Sequence, residues 1–164
     1  MPTIRLIIMS ILVSSCVTKN TDVLVIGHRG ARGHVAENTL ASIEKAMELG
    51  VDGVEIDVFR CATGELVVFH DKTLEKLTDG VGYIEQMTLD SIKQFRVLGK
   101  EPIPTLNEVM DLIDGKIQLN IELKGTQTAI LTSELLVLYF KESNWKPEDI
   151  FISSFDWNEL DVFY

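Results

Sequence analysis

The stretch Asp52–Arg60, DGVEIDVFR, alternates Val54, Ile56 and Val58 with Glu55, Asp57 and Phe59. Alternation of that kind marks a strand. Side chains two residues apart share a face, so Glu55 and Asp57 point the same way. A bare carboxylate in an apolar interior is costly, and two side by side demand compensation. A second strand-like stretch, KIQLNIELKG (116–125), puts Glu122 and Lys124 on one face by the same rule. If both faces meet in one cleft, three carboxylates and an ammonium converge there. Such an all-oxygen set suits one hard divalent cation, Ca2+ or Mg2+. The competing reading leaves each acid solvated at a strand end, paired with a surface base. His28 in GHRG and His70 in VVFHD follow apolar runs. They therefore stand at the ends of neighbouring strands, where a general acid or base can reach a substrate. Taken singly, each is an ordinary structural histidine. Arg29 offers a fork suited to phosphate oxygens, and His34 falls in a loop and carries no assignment.

Stepping outward to the elements that position these groups, VLVIGHRG reads as a buried strand ending in a loop. ENTLASIEKAMELG reads as a helix, capped by Asn38 or Thr39 and closed by Gly50. Asp52–Arg60 is the second strand, followed by a turn at 62–64 and a further strand over 65–69. Residues 72–104 look like an excursion from the core, with a short amphipathic helix in TLDSIKQFRVL. TLNEVMDLIDG is a clearer helix, with Thr105 and Glu108 forming a capping box. KIQLNIELKG is strand three, TAILTSELLVLYFKES a helix, DIFISSF strand four, and DWNELDVFY starts another helix. Repeated strand–helix alternation predicts an α/β fold with a parallel sheet. The polar groups gather at strand C-terminal ends, which suits both a (β/α)8 barrel and a small open sheet. Pattern alone leaves both open.

The 164 residues carry 46% hydrophobic and 24% charged side chains, a globular balance. A formal net charge of −10 repels phosphate backbones and argues against nucleic acid as a partner. The N-terminus, MPTIRLIIMSILVSSC, has one base and then an apolar run from Leu6 to Val13 broken by Ser10. That run is too short to span a bilayer, which takes about 20 residues, but suits a secretory signal. Val13-Ser14-Ser15-Cys16 resembles a lipobox, so residues 1–15 are expected to be a signal peptide with Cys16 lipidated and 17–22 a tether. That places the protein outside the cytoplasm, periplasmic or at the cell surface, touching a membrane through its N-terminal lipid anchor. Cys61 then has no disulfide partner.

The segments GHRGARGHVAENTLASIEKAMELGVDGVEIDV, GELVVFHD, IPTLNEVMDL, NIELKG and ISSF together closely resemble the glycerophosphodiester phosphodiesterase family, over residues 23–164. The resemblance implies a TIM-type (β/α)8 barrel, here about its first half, with an insertion after the second strand at 71–104. It implies hydrolysis of a glycerophosphodiester to an alcohol and glycerol 3-phosphate. By position it makes Glu55, Asp57 and Glu122 the divalent-metal ligands, His28 and His70 the acid–base pair, and Arg29 and Lys124 the phosphate contacts. Glu37 and Asn38 match the family's ENT segment, with Ala36 where a proline is usual. A barrel of this kind takes about 250 residues, so the domain is expected to be C-terminally incomplete and poorly soluble or inactive alone. Two alternatives stand beside this reading: a phospholipase D-like enzyme on the same barrel, and a non-catalytic phosphodiester-binding lipoprotein.

Overall fold

A computed structural model describes residues 23–163. The expected signal peptide, Cys16 and the tether lie outside those residues. In chain order the elements are β1 (Ile26–His28), α1 (Leu40–Glu48), β2 (Gly53–Arg60), β3 (Leu66–Val68), α2 (Leu89–Ile92), β4 (Arg96–Val97), β5 (Glu101–Pro102), α3 (Leu106–Ile113), β6 (Gln118–Leu123), α4 (Thr128–Glu142), β7 (Ile150–Ser153) and α5 (Trp157–Phe163). Strands β1, β2, β6 and β7 lie side by side in that order and all parallel. Doubly wound sheets reverse their strand order at a switch point, and no reversal occurs here. A one-way parallel arc is the geometry of a (β/α)8 barrel wall.

Among the described residues, helices cover one face of that arc. On it Val54, Ile56 and Val58 of β2 and Leu119, Ile121 and Leu123 of β6 are buried. They pack against Ile43 of α1, Met110 and Ile113 of α3, and Leu136 of α4 in one apolar cluster. The opposite face of β6 presents the half-buried Gln118, Asn120 and Glu122. Period-two alternation therefore becomes a division of labour, with packing on one side and polar groups on the other.

The helices start where the sequence says they should. Thr105 caps α3, accepting from the Glu108 N–H while Glu108 reaches back to the Thr105 N–H. Thr39, not Asn38, caps α1, with Ser42 as its reciprocal partner. Helix α4 differs, because Gln127 at its start supplies no side-chain cap. Glu159 of α5 does that work from 32 residues away, accepting from the Gln127 and Ala129 N–H groups at 2.8 Å each.

The insertion is more than an excursion. Leu74, Ile84, Ile92, Val97 and Ile103 bury themselves with Phe59, Val67 and Phe69 in a second apolar cluster. Of these, Ile92 lies on the short α2 and Val97 on β4, and periodicity missed the cluster because no element there exceeds four residues. Among the described residues, no helix is long and apolar enough to cross a membrane.

Candidate active site

Strand register brings the acids together. Asp57 of β2 lies opposite Glu122 of β6, and Glu55 lies opposite His28 of β1 on one side and Asn120 on the other. Neighbouring strands are about 4.8 Å apart, so a register-paired Asp57 and Glu122 crowd two like charges. Lys124, two residues beyond Glu122, answers this: its Nζ stands 3.1 Å from Glu122 Oε1 and 3.6 Å from Asp57 Oδ1. Glu55, Asp57 and Glu122 each offer a carboxylate oxygen, all within 4.8 Å of one another.

Each buried acid keeps one oxygen hydrogen-bonded and one without a hydrogen-bond partner. Glu55 Oε2 accepts the Arg29 backbone N–H at 2.9 Å, while Glu55 Oε1 is buried without a hydrogen-bond partner. Asp57 Oδ2 accepts from Asn38 Nδ2 at 2.8 Å, while Asp57 Oδ1 is likewise buried and without one. Burial, then the charge of Asp57, pushes the Glu55 carboxyl up to about 7. Unpaired buried carboxylate oxygens are expensive, and a divalent cation would satisfy them. Charge bookkeeping agrees. Glu37, Glu55, Asp57 and Glu122, when ionised, face Arg29 and Lys124, so four negative charges against two positive leave two uncompensated. The donor set thus fits Ca2+ or Mg2+ in charge and in ligand chemistry.

The loop after β1 is held in an unusual shape. Arg29 and Asn38 both have left-handed backbones, with φ of 55° and 54°. Gly30 between β1 and α1 lies against Ser42, where an added Cβ would stand 2.4 Å from its hydroxyl. Arg29 donates from Nη1 to Glu37 at 2.7 Å and sets Nε 3.4 Å from Asp57 Oδ2. Its guanidinium is therefore engaged with acids on the protein, while also lying beside the carboxylate cluster.

The two histidines stand on different kinds of strand, not at equivalent ends of neighbouring parallel ones. Instead of closing a neighbouring parallel strand, His70 follows β3, which runs antiparallel to the end of β2. Strand β6 takes one edge of β2 as far as Val58, so β3 shares the other edge with β1. Along that edge β1 rises to His28 beside Glu55, and β3 descends until the Phe69 N–H meets the Asp57 carbonyl at 3.0 Å. The chain therefore reaches the level of Asp57 along that edge from opposite directions, β1 ending at His28 and β3 leading into His70. His28 Nε2 is 3.6 Å from Glu55 Oε2, and its ring is half exposed. Partial burial, then Arg29 and Arg32, hold His28 below the ordinary imidazole range. His70 Nδ1 bonds Asp71 Oδ1 at 2.7 Å. Burial raises the Asp71 carboxyl, but hydrogen bonds from His70 and Lys76 outweigh it and hold it below the usual range. Asp71 is therefore ionised and accepts the hydrogen bond from Nδ1–H, which turns Nε2 away from it.

Sequence reasoning missed Asp71 as the orienting partner of His70, although its adjacency in HD was visible. It also missed the Glu37–Arg29 pair, and it considered Asn38 mainly as a helix cap. A cavity of about 460 Å3 opens beside Glu122, lined also by Lys72, Lys124, Phe155, Trp157 and Asn158. The insertion reaches the same rim. Glu85 accepts from the Thr126 N–H at 3.0 Å and pins the loop that follows Lys124.

Comparison with known proteins follows the same line. The sequence model of the glycerophosphoryl diester phosphodiesterase family matches residues 28–163. A glycerophosphodiester phosphodiesterase of Caldanaerobacter subterraneus subsp. tengcongensis is 42% identical over 142 residues, covering 81% of this chain and 58% of that protein. A phosphodiesterase of Oleispira antarctica, solved with the product sn-glycerol-3-phosphate, superposes with a TM-score of 0.75 at 35% identity, over 85% of this chain and 60% of that one. A glycerophosphodiester phosphodiesterase of Agrobacterium tumefaciens gives 0.76 at 28% identity, over 85% of this chain and 61% of that one. The chain thus spans little more than half the length of the curated relatives it matches. Its sheet is an arc of the barrel those enzymes share.

Proposed function

The chain belongs to the glycerophosphoryl diester phosphodiesterase family, and from that premise we propose that its site takes part in metal-dependent hydrolysis of glycerophosphodiesters to an alcohol and glycerol 3-phosphate. The observation that carries this reading is the trio Glu55, Asp57 and Glu122, with ligand atoms within 4.8 Å and two buried oxygens left without a hydrogen-bond partner. A divalent cation held there, Ca2+ or Mg2+, supplies Lewis-acid stabilisation of charge on the phosphoryl oxygens. The chain's own groups do the rest. Lys124 and Arg29 lie beside the acids and offer positive charge to the remaining phosphate oxygens. His28, held below the ordinary imidazole range, is neutral near pH 7 and accepts a proton from the attacking water as its oxygen forms the new P–O bond. His70, held through Nδ1–H by Asp71 and carrying a second proton on Nε2, delivers that Nε2 proton to the head-group oxygen as the old P–O bond breaks. The reading extends to an exported protein anchored through Cys16, a proposal that rests on residues 1–16 alone. Release of glycerol 3-phosphate from glycerophosphocholine tests the reaction. Product is expected to form with Ca2+ or Mg2+, to stop in chelator and to stop in His28→Ala. Release undiminished in chelator overturns the metal-dependent mechanism.

A further inference from the structure

We infer that Asn38 is a positioning residue for the ion site: with Arg29, braced by Glu37, it locks the Asp57 carboxylate so that Oδ1 faces Glu55 and Glu122. The inference rests on the ion-site reading above. Both atoms of the Asn38 amide are directed at one residue. Nδ2 donates to Asp57 Oδ2 at 2.8 Å, and Oδ1 faces the Asp57 backbone N–H at 3.4 Å. Asn38 is 1% exposed, so those contacts are made away from competing water. Its backbone is left-handed at φ 54°, a shape that asparagine tolerates better than most residues. Capping does not explain the residue, because Thr39 and Ser42 already satisfy the start of α1.

The clamp matters because the two Asp57 oxygens have been assigned different work. Oδ2 takes Asn38 and lies 3.4 Å from Arg29 Nε, while Oδ1 has only Lys124, at 3.6 Å. A carboxylate freed to rotate would settle against the nearby ammonium and guanidinium and surrender the oxygen that an ion needs. Partners standing behind a metal ligand set its orientation in this way, and their loss typically costs about 10- to 100-fold in metal affinity.

Calorimetric titration of the full chain with Ca2+ tests the clamp. Asn38→Gly keeps the left-handed backbone without strain and removes only the amide. Its Kd is expected to rise about tenfold or more, with a lower melting temperature in chelator because the buried Asp57 carboxylate loses a donor. Asn38→Ala is expected to match that rise in Kd and to melt lower still, since alanine must bear the left-handed backbone. A Kd for Asn38→Gly within about threefold of the parent's overturns the proposal, as does a loss seen in Asn38→Ala alone. Glu122→Gln separates the two levels of the reading. If it abolishes binding, the ion site stands and the Asn38 variants judge the clamp; if it binds as the parent does, the ion site itself falls and the clamp with it. Should neither Asn38 variant fold, Glu37→Gln carries the test, since it releases the brace on Arg29. Weakened Ca2+ binding supports the clamp, and unchanged affinity overturns it.

Discussion

The two faces of β2 and β6 share one backbone and one hydrogen-bonding register, yet they answer to opposite demands. On the helix side Val54, Ile56, Val58, Leu119, Ile121 and Leu123 are almost fully buried and meet only apolar neighbours. On the other side Glu55 and Asp57, buried nearly as deeply, meet like charges, are only partly offset by Arg29 and Lys124, and keep two oxygens without a hydrogen-bond partner. The first face lowers the free energy of the folded chain. The second raises it unless a cation arrives. The contrast teaches that burial by itself says nothing about stabilisation. Apolar burial releases water, whereas acid burial stores a demand that only a partner of opposite charge removes.

That contrast can be broken from either side. The largest effect is expected on the polar face: His28→Ala lowers kcat/KM about 10²- to 10⁴-fold and leaves the melting temperature close to the parent's. A matching fall in both would place His28 in the scaffold rather than the chemistry. On the apolar face the effects reverse. Ile121→Ala, at a fully buried site, is expected to cost about 2–5 kcal/mol in denaturant unfolding without changing the Kd for Ca2+ in the fraction that remains folded.

A pH series sharpens the same point. The folded Glu55 carboxyl is raised to about 7 from its ordinary 4.5, so the folded chain binds that proton more tightly than the unfolded one. Its contribution to stability is complete below about 4.5 and is lost as pH climbs through about 7. In chelator, melting temperature is therefore expected to fall across that window, and saturating Ca2+ is expected to restore it above pH 7. Ca2+ affinity should weaken as pH drops below 7, because proton and cation compete for one carboxylate. A melting temperature that rises from pH 5 to 8 in chelator would contradict the assignment. The smallest effect belongs to the helix layer alone: Thr105→Ala removes the α3 cap for about 1 kcal/mol, with Ca2+ binding and turnover unaltered.

Much of this was legible in the sequence, for reasons that can be named. Alternation exposed β2 and β6 and paired Glu55 with Asp57, because side-chain direction in a strand is a local property. Thr105 and Glu108 announced α3, since a capping box is written within four residues. The insertion's own core was not legible, because its elements are too short to show a period and Phe59, Val67 and Phe69 join it from the main sheet. Asn38 was weighed mainly as a cap because that is what its neighbours suggest. Its contact with Asp57 spans 19 residues, and nothing in ENT indicates it.

The chain order alone therefore determined which residues are acids, which face of its own strand each occupies, and where helices begin. These follow from backbone geometry over a few residues. Tertiary structure decided the rest: that Asp57 sits opposite Glu122, that β3 turns back to carry His70 along the edge already taken by His28, and that Asn38 reaches Asp57. Register, strand order and the return of a chain segment depend on which distant surfaces bury each other. No stretch of a few residues contains that free energy.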